Sequence, residues 1–301
     1  MISDWLVSIE GTPQGATVAL YLALLAAVLH AIFGALQKGK HDPWLTRWSI
    51  DLWLVFLSFP MLFLVPWPEP HMWPIFAGMV VIHFGYKVLQ AQAYSKGAFT
   101  VVYPVVRGMG PLFAVIGAYL IFGETFTTVQ WVGLGVLLAG IFGLALYNLI
   151  FLQTDRQTLP AALALAVATG FFVALYTTYD AYGIRATADP FTFLAWFFFL
   201  AALDFPILLL VSPMRVRFTG VALSPLMTRG FIGALIAYGS FGAIMLATRL
   251  DQVGEAAVLR ETSTVFAAII GWVFLKETVG PRRVFLMGLI ALGAVIVEFG
   301  G

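Results

Sequence analysis

The 301-residue sequence has no cysteine, so disulfides, thiolate metal sites and cysteine nucleophiles are excluded. Charge is scarce as well. Asp, Glu, Lys and Arg make up 10% of the chain, against about 25% in a soluble domain. Hydrophobic residues make up 61% and mean hydropathy is +0.96, so lipid rather than water solvates this chain. A net charge of +1 gives no electrostatic reason to bind nucleic acid. The opening residues, Met1 to Gly15, have no basic segment and carry Asp4 and Glu10, so a cleaved signal peptide is not expected. The chain has no GxxxxGK[ST], HExxH or GxSxG pattern. No ATPase, zinc-protease or serine-hydrolase reading has support, and neither enzymatic activity nor a metal or cofactor is expected.

What is present is a series of long apolar runs. A spanning helix needs about 20 mainly apolar residues. Ten candidates fall at 16–37, 48–66, 73–95, 98–122, 128–150, 159–183, 190–212, 225–247, 253–275 and 282–299. The alternation of a membrane β-barrel is missing, so the expected class is all-α integral membrane. Pro66-Trp67-Pro68-Glu69-Pro70 closes the second connection, and Thr278 to Pro281 offers a capping residue and a proline at the last helix start.

The chain also repeats itself. Shifted by 153 positions, Arg107 falls on Arg260, Phe113 on Phe266, Ala114 on Ala267, Ile116 on Ile269 and Glu124-Thr125 on Glu277-Thr278. Gly135/Gly288 and Gly140/Gly293 continue the match. Upstream, Asp42-Pro43 matches Asp189-Pro190 at an offset of 147, and the longer seventh connection, Ser212 to Ser224, accommodates the difference. Two halves follow, residues 1–152 and 153–301, each of five spans. Five is odd, so the second half enters the membrane from the opposite side and the site is expected near the midplane between them.

Lysine and arginine in the loops set the expected orientation. The odd-numbered connections hold Lys38, Lys40, Arg47, Lys96, Arg156, Arg215, Arg217, Lys276, Arg282 and Arg283, while the other side holds Arg185 and Arg249. Both termini are therefore expected outside the cytoplasm. Trp5, Trp44, Trp48, Trp67, Trp73 and Trp131, near span ends, fit interfacial belts.

Arg107 and Arg260 lie on the order of 10–14 Å from a membrane face at 1.5 Å per residue. A guanidinium at that depth faces a partner or a watery cavity. Two readings stand: either arginine binds a carboxylate or other anionic group of a substrate, or it braces the bundle by pairing with Glu255, Glu261, Asp180 or Asp204. Gly108, Gly110 and Pro111 weaken the helix after Arg107 and suggest a kink or hinge, with close helix packing as the alternative. In the other half Thr262-Ser263-Thr264 takes that place. His83, Tyr86, Lys87, Gln90 and Tyr94 share one helical face, as do His30 and Gln37. His83 could relay protons, and Lys87 could neutralise an acidic group or pair with Asp51 or Glu261. A hydrogen-bonded network between helices is the competing reading for His83 and His30. Among the aromatic residues, Tyr103 and Tyr86 are the best candidates for a pocket; Tyr119, Tyr176, Tyr179, Tyr182, Trp196, Phe197-Phe198-Phe199, Tyr238 and Trp272 are divided between pocket and packing.

Together, the twice-five layout, the Arg-Gly-Pro run ending in Phe122-Gly123-Glu124, its echo ending in Leu275-Lys276-Glu277, and His30, Asp42-Pro43 and His83-x-x-Tyr86 resemble the EamA branch of the drug/metabolite transporter superfamily. Within it the chain is similar to YddG-type amino-acid exporters. The resemblance implies a basket around a central cavity, lined by spans one, three, four, six, eight and nine, in a bacterial inner membrane. It implies a secondary or facilitative carrier that exports amino acids, aromatic or hydrophobic ones included, or related small metabolites by alternating access. A lipophilic-drug efflux carrier is the alternative. The substrate-contact set is Arg107, Tyr103, His83, Tyr86, Lys87, Arg260 and His30, with Glu255, Glu261 or His83 as proton-coupling groups. Expected partners are a small-molecule substrate and the lipid bilayer, and the expected state is a monomer.

Overall fold

The computed structural model describes residues 2–37, 42–96, 99–151, 158–211, 213–273 and 280–301. The helices are α1 (Ile2–Ser8), α2 (Pro13–Gln37), α3 (Pro43–Ser58), α4 (Met72–Lys96), α5 (Phe99–Phe122), α6 (Thr128–Phe151), α7 (Leu159–Ala186), α8 (Pro190–Ala202), α9 (Asp204–Val211), α10 (Leu223–Leu250), α11 (Val253–Arg260), α12 (Ser263–Val273) and α13 (Pro281–Phe299). Among the described residues, seven helical segments are long and apolar enough to cross a membrane: α2, α4, α5, α6, α7, α8 with α9, and α10. The other three expected spans are shorter or interrupted. α3 has 16 residues, α11 and α12 are separated by Glu261-Thr262, and α13 carries Arg282, Arg283 and Glu298 within 19 residues. Lys38, Lys40, Arg156, Lys276 and Glu277-Thr278 lie outside the described residues, as do the side chains of Gln37 and Trp272.

The two Asp-Pro pairs do the same work. Asp42 Oδ1 accepts the N–H groups of Trp44 at 2.7 Å and Leu45 at 3.4 Å and so caps α3. Asp189 Oδ1 accepts those of Phe191 at 2.7 Å and Thr192 at 3.1 Å and caps α8. In each case the proline sits where its missing N–H costs nothing. Glu124 has a related role across the chain. Its carboxylate accepts from Val253 N at 3.0 Å and Gly254 N at 3.1 Å, capping α11, and Arg185 joins it while donating to the carbonyls of Thr248 and Asp251. The last helix, by contrast, opens on Gly280 and Pro281 with no side-chain cap.

α2 packs on α10 and α4 on α7; α2 packs on α11 and α12, and α5 on α7; α3 packs on α10 and α4 on α8; α5 packs on α6 and α12 on α13; and α6 packs on α13 and α3 on α8. One expectation needs correction. Trp44 and Trp48 are buried rather than interfacial, stacked on Phe205 and set edge-on against Phe218, whereas Trp5, Trp67, Trp73 and Trp131 are exposed. The seventh run is broken at Leu203. α5 stays helical through Gly108, Gly110 and Pro111, where packing explains the glycines: a Cβ on Gly108 would lie 3.0 Å from Phe142, and one on Gly110 would lie 3.2 Å from Val173.

The paired glycines of the repeat also divide. A Cβ on Gly140 would lie 2.7 Å from the Leu286 carbonyl, and one on Gly293 would lie 2.6 Å from the Gly133 carbonyl, so both let α6 and α13 touch. Gly135 and Gly288 have nothing within 4 Å. Gly293→Val is therefore expected to separate α6 from α13 and lower the thermal unfolding midpoint in detergent, while Gly135→Ala leaves it unchanged or raised. Equal effects would rule out that interface as the reason for the glycine.

Candidate functional site

Burying a charge is tolerated when it is paired and hydrogen-bonded, and the interior satisfies its cations in a recurring way. Arg107, 4% exposed on α5, lies with Nε 2.9 Å from Glu261 Oε2. Its terminal nitrogens donate to Ser263 Oγ at 2.8 Å, to the Arg260 carbonyl at 3.2 Å and to His30 Nε2 at 3.3 Å. Arginine has no acceptor, so His30 Nε2 must accept and the ring proton sits on Nδ1. The Arg260 carbonyl is available because Thr264 N–H turns instead to the Glu261 carbonyl at 3.0 Å, a tightened turn that ends α11. The tyrosine ring of Tyr103 lies 5.9 Å from this guanidinium.

Lys87 repeats the pattern on α4. Its Nζ bonds Asp51 Oδ2 at 2.9 Å, the Ala201 carbonyl at 2.5 Å and Asp204 Oδ1, and Arg47 pairs with the other oxygen of Asp51 at 2.9 Å. The Ala201 carbonyl is free because Phe205 N–H goes to Asp204 Oδ1 at 2.6 Å, while Pro206 brings no N–H. In both clusters a broken helix presents its carbonyl end, the negative pole of its dipole, to a buried cation. Lys87 is thus enclosed by Asp51, Asp204 and the end of α8.

Between these clusters lies a third. His83 Nε2 donates to Asp180 Oδ2 at 2.8 Å, with both residues at most 4% exposed. Tyr176 is packed against His83 and Tyr86 at centroid distances of 4.8 Å, and Gln90 donates to the Tyr86 hydroxyl at 2.6 Å. Two voids flank the pair. One, of about 30 Å³, is bordered by Arg47, Asp51, His83, Tyr86, Phe197 and Phe241. The other, of about 10 Å³, is bordered by Tyr176, Asp180, Phe241, Met245, Thr248 and Arg260. Each has room for water rather than for a metabolite.

Most of the predicted site residues therefore converge on one interior strip. Glu255 does not: it accepts from Gln130 Nε2 at 2.6 Å, near the α6–α13 interface, and Glu261 alone of the two pairs with an arginine. Tyr119 and Tyr182 face outward. Asp180, expected as a partner for an arginine, pairs with His83 instead. Ser263, in the Thr262-Ser263-Thr264 run, accepts from Arg107. Arg47, expected as a loop cation, joins the Lys87 cluster through Asp51.

The model of the EamA-like transporter family matches residues 17–146 and 160–299, once on each half. The chain belongs to that family. The proteins grouped in it are described as EamA-like transporters. A crystal structure of another protein shares the fold, with a TM-score of 0.72 over 94% of this chain and 96% of the other at 15% identity. The uncharacterized protein y4nH of Sinorhizobium fredii (strain NBRC 101917 / NGR234) is 35% identical over 72 residues, 24% of this chain. The chain spans 62% of that relative's length.

Removing Glu261 leaves Arg107 buried beside neutral groups. Glu261→Gln is expected to cost on the order of 3 kcal/mol and to lower the unfolding midpoint in detergent. The double variant Arg107→Met/Glu261→Leu recovers most of that loss, because charge and counter-charge go together. A double variant no better than Glu261→Gln would show that the pair is not the source of the cost.

Proposed function

We propose that this EamA-family protein is a secondary or facilitative carrier that exports amino acids, aromatic and hydrophobic ones included, or related small metabolites by alternating access. The observation carrying this reading is the interior strip of cations, carboxylates and rings. It joins three charge clusters to two water-sized voids next to helix breaks. Discontinuous helices that aim backbone groups at a midplane site are a carrier feature. A membrane channel would call for a continuous polar ring.

Two inverted five-span halves, 1–152 and 153–301, are supported by the packing. Exchanging each helix for its counterpart in the other half converts α2–α10 into α7–α4, α2–α11 and α2–α12 into α7–α5, and α3–α10 into α8–α4, while α6–α13 and α3–α8 convert into themselves. The equivalent caps at Asp42 and Asp189 agree with it. Ten spans, with both termini outside the cytoplasm of a bacterial inner membrane, complete this arrangement, and a monomer suffices because one chain supplies both halves. The voids, now water-sized, widen on either side in turn as the halves rock. His83 with Asp180 is the candidate for proton coupling, since a histidine–carboxylate pair between two voids can exchange a proton with either. The transport mode proposed here resembles that of YddG-type exporters. Lipophilic-drug efflux is the second reading, favoured by the ring lining of Phe197, Phe198 and Phe241 and opposed by the arginines.

Counterflow in proteoliposomes tests the assignment. Vesicles preloaded with unlabelled amino acids are expected to take up labelled amino acid, and uptake is expected to fall roughly tenfold or more in Arg107→Ala, which loses the clamp on Glu261 and the α11 break. Exchange of cationic dyes or nucleosides with no amino-acid exchange would overturn it.

A further inference from the structure

The two repeat-related arginines are not equivalent. Arg107 has a carboxylate, a hydroxyl, a carbonyl and an imidazole. Arg260, just as buried at 3% exposure, makes one long contact from a terminal nitrogen to Thr177 Oγ1 at 3.4 Å. Its Nε has no partner, and among the described residues no carboxylate pairs with it. Asp180 shares the same void and is also incompletely used: His83 takes Oδ2, and Oδ1 is buried without a partner. A guanidinium and a carboxylate with unmet hydrogen-bonding capacity thus border one cavity without forming an ion pair.

We infer that this void, between α7, α10 and α11, is the receptor for a free α-amino acid, with Arg260 taking its carboxylate and Asp180 its ammonium. The inference rests on the amino-acid carrier reading and adds the residues that would read the substrate. Several features carry it. Opposite charges on one cavity match a zwitterion and neither a simple cation nor a simple anion. The guanidinium fork suits a carboxylate, which can accept two parallel N–H bonds. The unpartnered Asp180 oxygen suits an ammonium, which only donates. Tyr176, Phe241, Ile244 and Met245 supply an apolar wall for an aliphatic or aromatic side chain. His83 is the positioning residue: by holding one carboxylate oxygen it leaves the other for the ligand. The void of about 10 Å³ admits one water as it stands, and a substrate enters only as α10 separates from α7 and α11.

Selectivity is the readout, because a ratio of two fluxes in one preparation does not depend on how much protein folded. Proteoliposomes would be assayed for counterflow of L-phenylalanine, its methyl ester, which keeps the ammonium but not the carboxylate, and N-acetyl-L-phenylalanine, which keeps only the carboxylate. Wild type is expected to exchange phenylalanine and to discriminate against both analogues by roughly tenfold or more, since each leaves one buried charge unpaired. Asp180→Asn should narrow the gap to the N-acetyl compound alone, and Arg260→Gln the gap to the methyl ester alone. His83→Gln should act like a weaker Asp180→Asn. If phenylalanine exchanges but both variants keep the wild-type ratios, or lose all fluxes alike, the pair is bracing and this inference fails while the carrier reading stands. If wild type exchanges dyes and none of the amino acids, both fail.

Discussion

Burying a cation in a lipid-solvated bundle is the constraint on which the interior depends. Arg107 and Lys87 are met by the same combination, a carboxylate from a neighbouring helix and a carbonyl released where a helix breaks. Lipid supplies no hydrogen bonds, so a backbone carbonyl can leave the helical ladder only where something inside the protein replaces the lost partner. The breaks at Leu203 and at Glu261-Thr262 are therefore consequences of the charges as much as of local sequence. Charge, break and cavity occur together because each requires the others.

Much of this was legible in the chain. Segment positions followed from apolar runs bounded by Pro and Gly, and the Asp-Pro repeat marked two helix starts that prove to be capped alike. The mid-depth arginines, His83 and Lys87 all lie in the interior strip, as an ionisable group in an apolar run suggests. Partners were less legible, because pairing is decided by how spans distant in sequence meet. Glu255 and Glu261 are six residues apart on one run, yet a tightened turn between them sends Glu261 to Arg107 and leaves Glu255 to Gln130. Gly108, Gly110 and Pro111 read as a kink or hinge in α5 with close packing as the alternative; neighbouring side chains fill the space beside those glycines, and α5 is helical through them. The break at Leu203 lies just before Pro206, a residue with no N–H to give.

Duplication supplies two similar sets of residues and leaves each free to specialise. Glu124 caps α11 with its carboxylate while Arg185 ties it to the end of α10, so the carboxylate retained in both copies of the repeat serves, in this copy, to fasten one half to the other. Arg107 likewise anchors the interrupted span of the opposite half, while Arg260 keeps its hydrogen-bonding capacity beside Asp180. The carrier proposed above uses both kinds of charge: one holds the halves in register, and the other changes partners as cargo arrives and leaves.

The absence of cysteine from the chain makes the most direct test simple, since Met245→Cys would introduce a lone thiol into the wall of the void shared by Arg260 and Asp180. The measurement is its rate of labelling by a membrane-impermeant maleimide in proteoliposomes, with and without saturating L-phenylalanine. A void that opens to water and receives an amino acid predicts slow labelling, made slower still by phenylalanine and not by its methyl ester. Labelling at one rate regardless of the amino acid would contradict the account.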